Sequence, residues 1–259
     1  MGKSASRRRK HSYFESRKRS YRNLISKDNL SAFRVTVKET DLFVRASASL
    51  EDITKELVLE QRGYIENYIK RYPEFARTLT PWRVTGLEPA IIGDMAAAGE
   101  KAGVGPMAAV AGAIAEHVGI DLLKYCNEVI VENGGDIFLK LDDPVTVGIF
   151  AGRSPLSLRM GLRMETMGKP MSICTSSGTV GHSLSLGNAD AVCVVSDSCS
   201  LADAAATAIG NRVKSKTQIQ NAVDFGKHIE GVKGIVVIIE DEVGMWGDLD
   251  VVPLKLEKG

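Results

Sequence analysis

The spacing of apolar and polar residues changes several times along the chain and predicts which segments are helices and which are strands. Residues 33–38 (Phe-Arg-Val-Thr-Val-Lys) alternate with the period of two that is typical of a half-buried strand, and residues 42–46 continue this pattern after a turn. Apolar side chains then recur at helical spacing until Pro73, before which a helix should end. Two more helices are predicted at residues 90–102 and 107–117, separated by Gly103-Val-Gly-Pro106.

The rest of the chain predicts mainly strands. Short apolar or alternating runs occupy residues 128–132, 137–140, 145–150, 156–160, 171–174, 191–195 and 234–239. Helices are predicted around residues 120–125, in the alanine-rich segment after residue 198 and around residues 218–225, and edge strands between residues 242 and 256. Because helices and strands come in runs rather than in regular alternation, the pattern predicts an α+β fold.

Composition adds one asymmetry to this picture. The 259 residues are 44% hydrophobic and 25% charged, which is ordinary for a globular enzyme, and the net charge is only +1. Nine basic residues precede residue 25, however, against the single acidic residue Glu15. We therefore predict a basic N-terminal arm, residues 1–25, and one domain over residues 26–259. A solvated tail is favoured over an arm that binds nucleic acid or an anionic membrane.

Cysteine usage and hydropathy indicate the class of protein. The four cysteines (Cys126, Cys174, Cys193 and Cys199) form no C-x-x-C pair, so a structural zinc site is not expected. The chain has no run of about 18 apolar residues and no apolar segment after its first basic residues. These features predict a reduced, cytoplasmic protein without a membrane span.

Two segments carry candidate chemistry. Residues 174–182 (Cys-Thr-Ser-Ser-Gly-Thr-Val-Gly-His) offer hydroxyls, amides, a thiol and an imidazole, and are either a ligand loop or a polar surface loop. Asp203 and Thr207 lie four residues apart and share one helix face, where their oxygens could bind Mg²⁺. Alternatively, Ser200 and Asp203 form a capping box, an explanation that does not extend to Thr207.

Two glycine-rich segments have ordinary alternatives. Gly103-x-Gly105-x-x-Ala108 fits the loose dinucleotide pattern, but a helix and not a strand precedes it, which excludes a Rossmann site. The segment is either an anion-binding helix start or a plain helix–helix turn. Residues 133–136 (Asn-Gly-Gly-Asp) predict a type I′ hairpin turn at Asn133-Gly134, and the second glycine would also let a ligand approach the backbone.

The order of these motifs resembles that of the ApbE family. It runs from Asn133-Gly-Gly-Asp136 through Cys174-Thr-Ser-Ser-Gly178 and His182 to Ala202-Asp-Ala-Ala-Ala-Thr207. ApbE proteins are flavin transferases that bind FAD and Mg²⁺ and attach FMN to a protein threonine. The resemblance therefore implies a mixed helix and sheet architecture with two interleaved lobes, and a nucleotide substrate. The N-terminal part, with Thr80-Pro-Trp-Arg83 and residues 103–116, resembles an uncharacterised cytoplasmic branch of ApbE-like proteins that is associated with sulfur assimilation in methanogens.

The motifs and the resemblance together give three groups of candidate site residues. His182 and Cys174 are the catalytic candidates, the latter for a protein that handles sulfur. Mg²⁺ would bind Asp203 and Thr207. FAD or a related nucleotide would contact Gly103, Gly105, Met107, Asn133, Gly134, Gly135, Asp136, Thr175, Ser176, Ser177, Gly178 and Thr179.

The chain also departs from the family pattern. The Asp-Pro that usually follows the histidine is absent after His182, and residues 107–116 lack the family lysine. We also expect no lipoprotein signal of the kind that many family members carry. Three functions therefore stay open: a flavin or nucleotide transferase-like enzyme, a sulfur-assimilation protein, and a non-catalytic ligand-binding or scaffold protein. A homodimer is expected because such assemblies are the commonest.

Overall fold

Two antiparallel sheets form the framework of the protein. The computed structural model describes residues 30–179 and 186–254. An eight-stranded sheet has the order β1-β2-β3-β4-β7-β8-β9-β10, and a three-stranded sheet has the order β11-β6-β5. The strands are β1 (Ser31–Val37), β2 (Thr40–Ala46), β3 (Val129–Asn133), β4 (Asp136–Lys140), β5 (Val145–Gly148), β6 (Met160–Met164), β7 (Met171–Ser176), β8 (Ala191–Ser196), β9 (Val232–Ile239), β10 (Glu242–Gly247) and β11 (Asp250–Pro253).

The helices cover one face of the large sheet. They are α1 (Glu51–Arg71), α2 (Ala90–Ala102), α3 (Val110–Leu122), α4 (Cys199–Gly210) and α5 (Ile219–Gly226), with short 3-10 turns at Pro73–Ala76, Pro106–Ala109 and Lys216–Gln218. Their apolar side chains join Val131, Phe138 and Val237 of the sheet in the main core. The small sheet contributes Val147 and Leu162 to a second core on the opposite face. The large sheet is thus the middle of three layers, which explains its nearly continuous apolar strands.

The predicted α+β fold is confirmed, with local corrections. The predicted strand at residues 156–160 is wrong, because residues 152–159 form turns and β6 begins only at Met160. Two serines hold these turns: Ser157 Oγ accepts from the backbone N–H of Ala151, and Ser154 Oγ accepts from that of Leu156. The predicted helix at residues 120–125 is the end of α3 and the turn after it.

The β3–β4 hairpin turns one residue later than predicted. Asn133 pairs with Asp136 in the last rung of the ladder, so the two-residue loop is Gly134-Gly135. Both glycines have positive φ, of 68° and 118°. A type I′ turn needs positive φ at both central positions, which glycine adopts without strain. The hairpin thereby places Asn133 and Asp136 side by side at the end of two buried strands.

Among the residues described, no single helix is long and apolar enough to cross a membrane. Only α2 taken together with Pro106–Leu122 reaches the necessary length and apolar composition. The two parts of that pair are bent by 105° at the break between them.

Candidate functional site

Helix α4 carries the two predicted metal ligands through the core. Ten of its twelve residues are buried, and the two that keep solvent access are Asp203 and Thr207. The alanines between them pack against neighbouring elements without large side chains, so the helix can lie deep in the protein. One polar stripe on a buried helix therefore faces an open space.

The start of α4 is held by groups from its own chain segment and from α3. Ser198 is the N-cap residue, and its hydroxyl accepts from the backbone N–H of Leu201 at 3.3 Å. Glu116 of α3 accepts hydrogen bonds from the backbone N–H and the hydroxyl of Ser200, at 2.9 and 2.8 Å. The capping box predicted from Ser200 and Asp203 is therefore wrong, because Glu116 takes the place of the carboxylate in that motif.

Asp203 instead contacts α3. Its Oδ2 accepts from the backbone N–H of Gly112 at 2.9 Å, which joins two helices that lie far apart in sequence. A side chain at Gly112 would overlap Cys199 O, and its Cβ would lie 2.8 Å from Asp203 Cβ. The glycine therefore permits the helix contact that positions this carboxylate.

A cavity of about 440 Å³ opens in front of the polar stripe. Its wall includes five predicted site residues: Gly103, Gly105, Met107, Asp203 and Thr207. The remainder of the wall comes from residues 76–79 and from Val104, Ala108, Val110, Ala111, Leu186, Asn211 and Arg212. The structure thus brings the glycine turn and the two predicted metal ligands to one cavity, with apolar walls and two arginines.

The glycine turn contributes shape more than hydrogen bonds. Gly103 ends α2 in the left-handed conformation, with φ of 71°, and a side chain at Gly105 would overlap Thr78 O. The N–H groups of Gly103 and Val104 already donate to Glu100 O and Gly99 O, at 3.3 and 2.9 Å. Gly103 is therefore a wall residue, and the expectation that its amide is available to an anion is wrong.

The hairpin residues lie close to Asp203. Asn133 Nδ2 donates to the carbonyl of Ala111 in the cavity wall at 3.0 Å. Burial raises the pKa of Asp136 well above its ordinary value, and the neighbouring charge of Asp203 raises it further. Burial raises the pKa of Asp203 to about 7, although hydrogen bonds from the backbone of Gly112 and Ala111 oppose this shift. The buried carboxyl group of Asp136 and the partly exposed one of Asp203 thus share one region, where two negative charges would repel each other.

The predicted threonine-serine loop does not line the cavity. Thr175 and Ser176 end β7, and the N–H groups of Thr175 and Gly178 already donate to Gly135 O and Ala189 O. Thr179 Oγ1 donates to Asp190 Oδ1 at 3.0 Å. The backbone amides of Thr175 and Gly178, two of the predicted nucleotide contacts, are therefore not available to a ligand, because both donors are used within the fold. His182 lies outside the described residues.

Cys174 is a core residue and not a reactive thiol. It is completely buried in β7, with its Sγ 3.5 Å from Cys199 Sγ, and burial raises its pKa well above the ordinary value for a thiol. The prediction that Cys174 is a catalytic or sulfur-carrying group is wrong, because such a group must be accessible and ionised.

All four cysteines should resist alkylation in the native protein. Each is a free, buried thiol, and burial raises the pKa of every one of them, that of Cys193 to about 12. We expect iodoacetamide at neutral pH to leave the native protein unmodified and to modify all four thiols in denaturant. Intact mass spectrometry would measure this, and rapid modification of Cys174 in the native state would contradict its assignment to the core.

The sequence analysis missed three polar residues of the cavity wall, Asn211, Arg77 and Arg212. Asn211 follows Thr207 by one helical turn, and its side-chain oxygen accepts from the backbone N–H of Leu186 at 2.8 Å. Arg77 enters from the 3-10 turn, and Arg212 from the end of α4. Continuing the four-residue stripe would have identified Asn211, whereas the arginines reach the cavity only through tertiary packing.

Comparison with known proteins places the chain in a family. It matches the family model described as AbpE bacteria over residues 22–245. A UPF0280 protein of Methanocella arvoryzae is 43% identical over 217 residues, which are 82% of this chain and 87% of the relative. A UPF0280 protein of Methanococcus aeolicus is 40% identical over 222 residues, which are 83% of this chain and 90% of the relative.

Solved structures share the fold at low sequence identity. The ApbE protein of Thermotoga maritima is 13% identical with a TM-score of 0.54, over 83% of this chain and 96% of that one. The apo flavinyl transferase ApbE of Pseudomonas stutzeri is 14% identical with a TM-score of 0.51, over 86% of this chain and 95% of that one. The family match covers most of the chain, which therefore belongs to the family described as AbpE bacteria and shares its fold with these ApbE structures.

Proposed function

We propose that this protein binds a phosphate-bearing nucleotide, FAD or a close relative, together with a divalent cation, and acts on it as a transferase-like enzyme. The polar stripe of α4 is the observation that carries this proposal. Asp203 and Thr207 are the only residues of that helix with solvent access, and both line the cavity. A buried helix that exposes only a carboxylate and a hydroxyl to a cavity is better suited to holding a ligand than to stabilising the core.

The donor atoms suit a hard cation. Asp203 and Thr207 supply oxygens. Asp136 lies close enough to Asp203 for the charge of Asp203 to raise the pKa of Asp136. Within residues 30–179 and 186–254, no three His, Cys, Asp or Glu side chains form a metal cage. Mg²⁺ needs no such cage, because it usually binds one or two protein oxygens and takes its other ligands from water and substrate phosphates. When bound, the cation would neutralise phosphate charge.

The rest of the cavity suits a nucleotide. Its volume of about 440 Å³ lies within the usual range for small-molecule sites. Met107, Val104 and Val110 give it an apolar wall for a ring system, and two arginines add positive charge. The named flavinyl transferase of the same fold supports a flavin, but it shares only 14% identity with this chain.

Removing the negative charge of Asp203 should weaken nucleotide binding and make it nearly independent of the cation. We expect calorimetry with Mg²⁺ to show FAD and ADP binding to the intact protein, and Asp203→Asn to weaken it at least tenfold. Asparagine keeps the shape and one oxygen but supplies no charge to the cation. EDTA should weaken nucleotide binding by the native protein in the same way, and should change nucleotide binding by Asp203→Asn little.

The control for this measurement is Asp121→Asn, a substitution of the same kind on α3 outside the cavity. Lys124 Nζ donates to Asp121 Oδ1 at 2.6 Å, and loss of this carboxylate should leave nucleotide binding unchanged. Absence of FAD and ADP binding with Mg²⁺ would overturn the proposed function. Binding without turnover of FAD would instead favour the non-catalytic ligand-binding alternative, so product analysis by mass spectrometry should follow the calorimetry.

A further inference from the structure

A second cavity, of about 450 Å³, lies between three helices. Its wall consists of one face of α1, with Leu57, Gln61 and Tyr64, together with the first residues of α2 and the end of α3. Of the residues described, none belongs both to this wall and to the wall of the cavity in front of Asp203. The second cavity is therefore a separate candidate site, and its volume is in the usual range for small molecules.

A buried amide without a hydrogen-bond partner lies in this wall. Gln61 is only 6% exposed, and its side chain makes no hydrogen bond to any residue in the described parts of the chain. A polar group kept from bulk water is normally paired, because leaving it unpaired costs stability. An occupant of the cavity can supply the missing partner.

Helix α2 begins at the same wall. Its N-cap residue, Pro89, makes no side-chain cap, and the N–H groups of Ala90 and Ile91 donate to no atom within residues 30–179 and 186–254. All three residues line the cavity together with Gln61. The free N–H groups of a first helical turn point out of the helix and bind carboxylates well.

Two carboxylates lie at the more exposed rim of the second cavity. Tyr64 Oη donates to Glu60 Oε1 at 2.8 Å, and Lys124 Nζ donates to Asp121 Oδ1 at 2.6 Å. The hydrogen bond to Glu60 and the charge of Glu60 raise the pKa of Tyr64, and the charge of Asp121 raises it further. Glu60 of α1 and Asp121 of α3 therefore lie near one hydroxyl group.

These charges disfavour a ligand that is only an anion. Lys124 offsets one of the two rim carboxylates, and His117 Nε2 lies 2.7 Å from Asp94 Oδ2, so a charge on this imidazole is also paired. One negative charge at the rim stays in excess, and it would repel a free phosphate. A ligand with both an ammonium and a carboxylate group satisfies the rim as well as the start of α2.

The remaining wall is apolar. The rings of Tyr64 and Tyr125 are 40% and 57% exposed, and Leu57 and Pro89 add aliphatic surface. Exposed tyrosine rings pack well on aromatic and aliphatic groups. This part of the wall can hold an apolar side chain.

We propose that the second cavity binds a small amino acid with an aromatic or large apolar side chain. The carboxylate binds Gln61 Nε2 and the first N–H groups of α2, and the ammonium binds at Glu60 and Asp121. The side chain packs against Tyr64 and Tyr125. This site is independent of the nucleotide proposed for the cavity at Asp203, so neither Mg²⁺ nor a nucleotide is needed to test it.

The test compares three ligands that share a phenyl ring, by calorimetry on the full-length protein. We expect L-phenylalanine to bind at least tenfold more tightly than 3-phenylpropionate, which lacks the ammonium, and than phenethylamine, which lacks the carboxylate. L-Alanine, which lacks the ring, should also bind more weakly. Absence of L-phenylalanine binding, or equal affinities for the three phenyl ligands, would overturn the proposal.

Gln61→Leu distinguishes a ligand contact from a structural role. It should weaken L-phenylalanine binding about 10- to 100-fold, the usual range for a lost hydrogen bond to a charged group. The urea midpoint of the empty protein should not fall, since the amide that is replaced has no partner. A lower midpoint with unchanged binding would instead make Gln61 a structural residue and overturn its role. Gln220→Leu, at an exposed position of α5, is the matched control and should leave L-phenylalanine binding unchanged.

Glu60→Gln tests the ammonium contact and decides the question if Gln61→Leu does not fold, because Glu60 is exposed. It should weaken L-phenylalanine binding about tenfold without weakening that of 3-phenylpropionate. Glu56→Gln, one turn earlier on α1 and outside the cavity wall, removes the same charge and should change neither affinity. Unchanged L-phenylalanine binding by Glu60→Gln would contradict the site for an ammonium group.

Discussion

Gly112→Ala should destabilise the protein by about 3 kcal/mol and weaken nucleotide binding at least tenfold. Alanine is ordinarily the better helix former by about 1 kcal/mol, so intrinsic propensity predicts the opposite sign. At this position, however, the new methyl group would overlap Cys199 O and crowd Asp203 Cβ. Either α3 and α4 separate, or the carboxylate moves, and both changes break the hydrogen bond from Gly112 N to Asp203 Oδ2.

Gly93→Ala is the matched control for this substitution. Gly93 lies within α2, and a Cβ built there meets no atom within 4 Å. The same change should therefore stabilise the protein by up to about 1 kcal/mol and leave binding intact. Urea denaturation monitored by circular dichroism would give both free energies of unfolding. A Gly112→Ala protein as stable as the native one would show that the close crossing of α3 and α4 is not required.

The sequence was sufficient to predict the stripe on α4, because helical spacing depends only on local geometry. Asp203 and Thr207 must share a face wherever the helix lies. The hairpin that contains Asn133 and Asp136 was predicted for the same reason, since Asn-Gly-Gly-Asp has few stable alternatives to a tight turn. Motif order then related these local features to a fold that the structure confirms.

The composition of the cavity could not be predicted in this way, because it depends on contacts between segments distant in the chain. Arg212 is recognised as a residue of the cavity wall only once the helices are packed, with its guanidinium over the Phe225 ring of α5. The polar loop after Cys174 suggests an accessible thiol, whereas the packing of α4 on β7 places its Sγ against Cys199 and buries it completely. The capping box failed for a similar reason, since a carboxylate from another helix, Glu116, occupies its place.

Glu116→Ala is expected to have the second large effect, a loss of about 3 kcal/mol in stability. The carboxylate accepts three hydrogen bonds at the start of α4, from Ser198 Oγ, Ser200 N and Ser200 Oγ, at 3.2, 2.9 and 2.8 Å. Ser200 is buried, so its donors would lose their partner without gaining full access to water. A buried donor left unsatisfied costs about 1–3 kcal/mol, and a negative charge at a helix N-terminus contributes up to about 1 kcal/mol more.

Glu116→Ala should also disturb the cavity, because Asp203 lies only one turn beyond Ser200 on the same helix. We expect Glu116→Ala to weaken Mg²⁺-dependent ADP binding as well as stability, and Glu116→Gln, which keeps an acceptor oxygen but not the charge, to lose about 1 kcal/mol. Glu100→Ala on the exposed face of α2 is the control and should change stability by less than about 0.5 kcal/mol.

A double-mutant cycle identifies the cause: Glu116→Ala should cost less in a Ser200→Ala background, since one donor has then been removed. Equal costs in the two backgrounds would contradict a direct contribution of the Glu116–Ser200 hydroxyl contact.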